Sequence, residues 1–374
     1  MAIQLKATLS QFWNSVQTNL FPWLAEELGP LSEEHRKLIT TLELVRIEDC
    51  VQYYQGIAPG RPAACRGGIA RAYIAKASLN LSTTRQLIDR LKVDKVLRRI
   101  CGFERAADIP EEWTFSRAFK QFATDQVSER AHAAMIAKYQ SERLVGHLSR
   151  DSTAIEAREK SIVKDKKTEP ALPKQPRGRP KKGEVRPPKK VDESRIERQL
   201  KMNSVAEMLT DLPKACDVGT KVDSKGNKVS WRGYKLHIDT ADGDVPISCV
   251  LTSASTHDSQ VAIPLSLISK ERVISCYDLM DAAYDSGLIR LHCHSLGHVA
   301  LIDFNRRSPK DTRGFRPHEA KRYKERSSAE RVNSRLKDSF GGRFIRVRGC
   351  AKVMMHLMLG IICLTAEQLI ACTT

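Results

Sequence analysis

Tyr323, Arg326, Glu330 and Lys337 follow one another at steps of three, four and seven residues. At about 100° per residue these positions fall within roughly a 60° arc of an α-helix. One carboxylate then projects beside two cations and a phenol, toward one target. This combination suits a cation and a phosphate held together: Glu330 binds the cation, while Arg326 and Lys337 hold phosphate oxygens. A solvated helix laced with ion pairs has the same residue types, so the rest of the chain has to decide between the two.

Two-metal chemistry on a phosphodiester needs several carboxylates converging from separate elements, because the two cations sit about 3.5–4 Å apart. Asp151 lies in the run Leu144 to Ile155, apolar and flanked by small polar residues. Asp281 follows the apolar stretch Val273–Met280 directly, at a strand end where open α/β sheets place ligands. Glu330 is the third acid. Asp217 competes with Asp151 for first place. Asp278 and Asp285 flank Asp281, Asp285 reading as a cap or turn acid, and Asp258 reads as the cap of the helix that follows it. Such a trio repels itself and holds protons above ordinary carboxylate values. The hard, oxygen-seeking Mg²⁺ relieves that repulsion.

The net charge of +18 and a pI near 9.5 point to a polyanionic partner. Nucleic acid fits better than an anionic membrane, since the most apolar run, Val353 to Leu364, is short for a span and reads as a buried core helix. The first residues lack the basic and apolar regions of a secretory signal, so the expected location is cytoplasmic. Ten cysteines occur without any Cys-x-x-Cys, as free thiols in a reducing compartment do. His292, Cys293, His294 and His298 form a weak alternative for zinc.

Residues 31–150 read as mostly helical. Ser32 opens one helix, and a second runs through Ile69, Tyr73 and Ile74. Thr83 with Gln86 forms a capping box for a third, which carries Arg85 and Arg90. This arrangement is compatible with a helix-turn-helix reader of DNA, and equally with a plain bundle. A further helix starts after Pro110 and carries Trp113, Phe115 and Phe119 as packing residues. From residue 215 onward the pattern changes. An alternating strand (229–239) turns at Ala241-Asp242-Gly243-Asp244 and returns (246–252), and strands then interleave with helices, an α/β layered sheet.

Residues 158–200 break composition. Between Lys160 and Lys190, twelve Lys/Arg face three acids, and six prolines leave little to bury. Within it, Pro176-Arg177-Gly178-Arg179-Pro180-Lys181-Lys182 resembles an AT-hook. The slim Arg177-Gly178-Arg179 backbone suits the narrow, electronegative A·T minor groove, and Pro180 keeps the chain extended. A merely basic linker is the plain alternative.

Taken together, Asp151-Ser152-Thr153, Asp281-Ala282-Ala283-Tyr284-Asp285-Ser286 and Tyr323-x2-Arg326-x3-Glu330-x6-Lys337 resemble bacterial insertion-sequence transposases of the DDE class. More narrowly, they are similar to the group with a Tyr-Arg-Glu-Lys signature. The similarity extends over about residues 35–370, including Gly219-Thr220-Lys221 and Trp231 to His237. The resemblance implies a ribonuclease-H-like mixed sheet flanked by helices, preceded by an all-helical N-terminal domain. The expected division is residues 1–140 for DNA binding and 141–374 for catalysis, interrupted by the basic 158–200 linker.

It further implies Asp151, Asp281 and Glu330 as ligands of two Mg²⁺ ions, with Mn²⁺ as a substitute. Tyr323, Arg326 and Lys337 would contact DNA phosphates. The expected partners are terminal inverted repeats and target DNA, with a homodimer in the synaptic complex of a nucleoid-associated bacterial protein. The interval of 49 residues between Asp281 and Glu330 leaves no room for the large β insertion of some relatives, which puts a hairpin intermediate in doubt. The basic insertion after Asp151 is a second departure. The competing functions are a non-catalytic, domesticated AT-hook protein and a metal-dependent nuclease without strand transfer.

Overall fold

The computed structural model describes residues 2–52, 64–162, 193–222, 225–306 and 312–372. The AT-hook-like residues Arg177, Gly178, Arg179 and Pro180 lie outside these.

The C-terminal part of the chain is built on a six-stranded mixed sheet. Its strands are β1 (Leu144–Glu156), β2 (Asp217–Val222), β3 (Lys228–Ala241), β4 (Val245–Ser253), β5 (Ile274–Met280) and β6 (Val299–Ile302). β3 runs antiparallel to β1 on one side, and on the other pairs first with β2 and then with β4. Across β1 lie β5 and then β6, both parallel to it. The β3–β4 hairpin closes as expected at Gly243 (φ 80°) and Asp244 (φ 59°); positive φ at both central positions matches the right-handed twist of the flanking strands. Gly233 stands where β3 passes from β2 to β4, at φ 153°, and a Cβ there would lie 2.1 Å from the Ile155 carbonyl of β1. Only glycine fits.

Successive strand residues point to opposite faces, and β1 shows the consequence. Arg150 faces the Ala262–Arg272 helix, where its Nη1 donates to the Ala262 carbonyl and Ser266 hydroxyl. Asp151 and Ser149 face the opposite way, toward the chain around Glu325 and Asn333. Arg150 is 1% exposed, and its ion pair with Asp239, directly across on β3, has both nitrogen–oxygen distances at 2.7 Å. A buried guanidinium stays charged, and such bidentate pairing offsets the cost of taking it out of water.

The N-terminal helices form as their caps predict. Ser32 accepts from the His35 N–H, and Thr83 and Gln86 make the reciprocal capping box of the Thr84–Val93 helix. Arg85 and Arg90 are exposed but ion-paired, with Glu112 and with Glu34 and Asp94. In the Glu112–Thr124 helix Phe115 and Phe119 are buried, whereas Trp113 is 60% exposed, with the Arg117 guanidinium 4.7 Å from its ring. It lies in the first turn, off the buried face.

The C-terminal helix corrects the sequence estimate of its length. Cys350–Ala371 has 22 residues, long and apolar enough by length and composition to cross a membrane, yet it is largely buried within the protein. Its Ile361, Ile362 and Leu364 share one apolar core with Leu38, Ile74 and Phe115 of the helical region and Leu236 and Ile238 of the sheet. The division near residue 140 therefore separates sequence segments whose cores are continuous. Gly360 allows the closest approach: a Cβ there would lie 2.6 Å from the Phe340 carbonyl and 2.9 Å from Leu336.

Candidate active site

The parallel pairing of β1 with β5 decides which acids meet. Leu144 pairs with Ile274 and Ser149 with Leu279, an offset of 130 residues, and the same 130 separates Asp151 from Asp281. The two aspartates therefore sit at one level of neighbouring strands, with Asp281 just past the end of β5. Its Oδ1 accepts from the Ala283 N–H at 3.0 Å, which caps a short 3₁₀ turn and fixes the carboxylate.

Each carboxylate senses the other's surroundings. Burial pushes the Asp151 carboxyl up to about 6, and the Asp281 charge adds to this, while Arg326 and the Asn333 amide pull it back. Burial also raises Asp281, with Asp258 adding and the Ala283 N–H, Arg326 and His257 opposing. Two half-buried acids side by side, both displaced toward the protonated form, are the expected electrostatic state of a carboxylate pair lacking enough positive charge.

The signature segment is not one regular α-helix. Pro317–Tyr323 is helical, Lys324–Arg326 forms a 3₁₀ turn, and α-helix resumes over Ser327–Ser339. The turn lies against β1, where the Ser149 hydroxyl donates to the Glu325 carbonyl at 3.3 Å. Three signature residues gather near the aspartates. The Arg326 guanidinium lies 3.7 Å from Asp151 Oδ1 and donates to Glu330 Oε1 at 2.6 Å. Burial raises the Tyr323 hydroxyl to about 12; Arg326 opposes this, and the charges of Asp303, Asp281 and Glu330 reinforce it.

Lys337 is placed elsewhere. Burial lowers its ammonium, and Lys221 and Arg343 add to that, while Glu156 at the far end of β1 and Asp338 oppose. The even stripe of four therefore becomes a group of three and a separate lysine, because Lys337 lies two turns beyond Glu330 on the same helix, about 10 Å further along its axis. Glu330 is held by Arg326, and its side chain is 56% exposed, against 21% for Asp151. Among the described residues, no three acid, histidine or cysteine side chains converge as a metal-holding group.

The rival acids have other partners. Asp217 accepts from the Ser255 N–H at 2.9 Å and from the Ser255 hydroxyl, so it anchors the chain after β4. Asp278 is buried against His298 at 3.0 Å. Asp285 takes the Arg290 guanidinium and the Asn305 N–H, the turn role expected of it. Asp258 is not the cap of its segment: His257 accepts the Ser259 N–H, and Asp258 instead pairs with Lys235 at 3.0 Å. His298 points to Asp278, while Cys293 is fully buried.

Sequence reasoning missed two residues. Asn333 Nδ2 donates to Asp151 Oδ2 at 3.0 Å; its position seven residues after Arg326, two helical turns on, was the available signal. Asp303 follows β6 as Asp281 follows β5, and its N–H donates to the Met280 carbonyl at 3.1 Å. The sheet thus carries a row of acids across three parallel strands, Asp151 within β1, Asp281 just past β5 and Asp303 just past β6.

Two family models match the chain. The transposase DDE domain family matches residues 146–366, more than half of the chain, from within β1 into the C-terminal helix. A second transposase domain, DUF772, matches residues 25–121 in the helical region. Comparisons with curated proteins and with solved structures each found no match. The chain belongs to the transposase DDE domain family.

Proposed function

We propose that this transposase acts as a divalent-metal-dependent polynucleotidyl transferase that cleaves the ends of its insertion sequence and joins the freed 3′-hydroxyl to target DNA. The observation that carries this reading is the equal register of Asp151 and Asp281 with Arg326 and Glu330 beside them. The strand order, with an antiparallel meander of β1, β3 and β4 and parallel β5 and β6 across β1, supports a ribonuclease-H-like fold.

The donor set fits Mg²⁺ or Mn²⁺: carboxylate oxygens whose protonation is favoured only while positive charge is short. Asp151, Asp281 and Glu330 would hold the metal, two ions in the two-metal scheme, which supplies charge to polarise the scissile phosphate and the attacking oxygen.

The chain's own groups do the rest. Asn333 fixes the Asp151 carboxylate, and the Ala283 N–H fixes that of Asp281. For Glu330 to join the aspartates it must leave Arg326, and a phosphate oxygen is the natural replacement partner for that guanidinium. Arg326 thereby couples arrival of the DNA strand to completion of the acid trio. Tyr323, half-buried and neutral, donates a hydrogen bond to a neighbouring phosphate without adding charge. The AT-hook-like Arg177–Pro180 segment adds sequence-tolerant grip on A·T-rich duplex, and a homodimer brings two element ends together.

The test combines protein, Mg²⁺, labelled element-end DNA and a target plasmid. Joined product that disappears in Glu330→Gln supports strand transfer. Cleavage without joining assigns a nuclease, and binding without cleavage in Mg²⁺ or Mn²⁺ sinks the enzymatic reading.

A further inference from the structure

Away from the acids, a groove of about 570 Å³ opens between the helical region and the C-terminal segment of the catalytic half. Lys76, Arg158, Arg346, Arg348 and Lys352 line it. None of these five cations has a carboxylate partner among the described residues, although the protein pairs arginines freely elsewhere. The acid on the groove's wall, Glu112, is engaged by Arg85 at 3.3 Å. Glu159 nearby accepts from the Tyr234 hydroxyl and from the Gly349 N–H, and no ion pair joins it to the arginines among the described residues.

Lys76 is the most telling member. It projects from the Arg66–Ser78 helix between Tyr73 and His356, and burial brings its ammonium down to about 8. A largely buried ammonium with no counter-charge is costly, and an anion entering the groove removes that cost. The lining also carries Ser and Thr hydroxyls around the start of the Thr84–Val93 helix. Lysines, arginines and hydroxyls arrayed along an open channel match the groups that hold the sugar–phosphate backbone of DNA.

Position sets which part of the DNA could lie here. Arg158 follows Asp151 by seven residues, and the chain is extended strand as far as Glu156. At ~3.3 Å per strand residue the groove begins roughly 20 Å from the paired aspartates. That is about six nucleotide steps of one B-form strand at ~3.4 Å each.

We infer that the Lys76–Arg158–Arg346–Arg348–Lys352 groove is a phosphate clamp for duplex DNA, seating the backbone about half a helical turn inside the bond presented to Asp151 and Asp281. The inference rests on the proposed reaction for its polarity relative to the cut. The clamp needs no metal, so it is separable from the chemistry.

The experiment measures affinity of the full-length protein for a duplex of ~30 base pairs in chelator, by fluorescence anisotropy over a salt series. Each lost phosphate contact removes about 0.9 from the log–log salt slope. Arg346→Ala/Arg348→Ala should bind about tenfold or more weakly and lose about two from the slope. The exposed pair Lys138→Ala/Lys270→Ala, equal in charge, should keep the wild-type slope. Lys76→Met serves as the folding control, because it should raise the melting temperature of the free protein while weakening DNA binding. A wild-type slope in Arg346→Ala/Arg348→Ala, equal losses in both double variants, or wild-type binding by Lys76→Met overturns the clamp. If the slope falls as expected but no cleavage ever occurs in Mg²⁺, the reading of the acids fails while the clamp stands.

Discussion

The Arg326 guanidinium sits 3.7 Å from the Asp151 carboxylate, and both side chains are about four-fifths buried. At that separation and burial the arginine is the principal charge favouring ionised Asp151, whose carboxyl is nonetheless raised to about 6 by burial. Removing the cation leaves burial and the Asp281 charge opposed only by the Ser152 N–H and the Asn333 amide.

Arg326→Leu should therefore move the Asp151 titration upward, further from its ordinary value. Carboxyl carbon NMR in chelator, with Asp151 identified through Asp151→Asn, measures the midpoint. A midpoint that stays put or falls would contradict the electrostatic account of the site.

Asp151 itself should cost stability. Its folded pKa of about 6 lies above the unfolded value of 3.8. Between those pH values the unfolded chain binds fewer protons than the folded one, so stability falls as pH rises through this window. Asp151→Asn removes the penalty. In chelator at pH 7.5 the variant should be more stable by on the order of 2 kcal/mol, with the advantage gone near pH 3.5. Thermal melts at the two pH values check this, and a variant less stable at pH 7.5 than at pH 3.5, relative to wild type, counts against it.

Asn333→Ala removes the amide that holds Asp151 Oδ2 at 3.0 Å. Groups that orient a metal-binding carboxylate are typically worth about 10–100-fold in metal affinity or activity. Mn²⁺ affinity and the cleavage rate should both drop within that range while the fold is retained. Full metal affinity in the variant would reduce Asn333 to a packing residue.

Asp239→Asn strands the Arg150 guanidinium, which is 1% exposed and has its bidentate pair and the Ser269 hydroxyl arranged around Asp239. Loss of one partner of a buried pair costs about 3–5 kcal/mol. Urea denaturation should show that loss, and a change below about 1 kcal/mol would mean that the pair behaves like a surface ion pair.

How far the site could be read in advance follows from the reach of each signal. Asp281 was legible because a turn acid after an apolar run is a local pattern. Asp151 was harder: only the pairing of β1 with β5 distinguishes it from Asp217, and that pairing joins residues 130 apart in the chain. Arg150 escaped notice because its partner lies 89 residues away and because a charged residue in a strand gives no sign of which face it buries. Lys337 shares the helical phase of Glu330, but spacing alone does not show how far along a helix a site extends, and two turns carry the lysine about 10 Å away; the 3₁₀ turn at Lys324–Arg326, set against Ser149, is a tertiary effect. The C-terminal helix was recognised as core, but its full length was obscured by polar residues near its end that still face inward, such as Thr365.

The central claim is that Asp151, Asp281 and Glu330 form one divalent-metal centre, and Mn²⁺ binding monitored by electron paramagnetic resonance tests it most directly. Wild-type protein with duplex DNA should bind Mn²⁺, and Asp151→Asn, Asp281→Asn and Glu330→Gln should each weaken that binding at least about tenfold. Asp217→Asn should bind as wild type does. Unchanged Mn²⁺ affinity in the first three variants, or loss of binding in Asp217→Asn alone, would contradict the account.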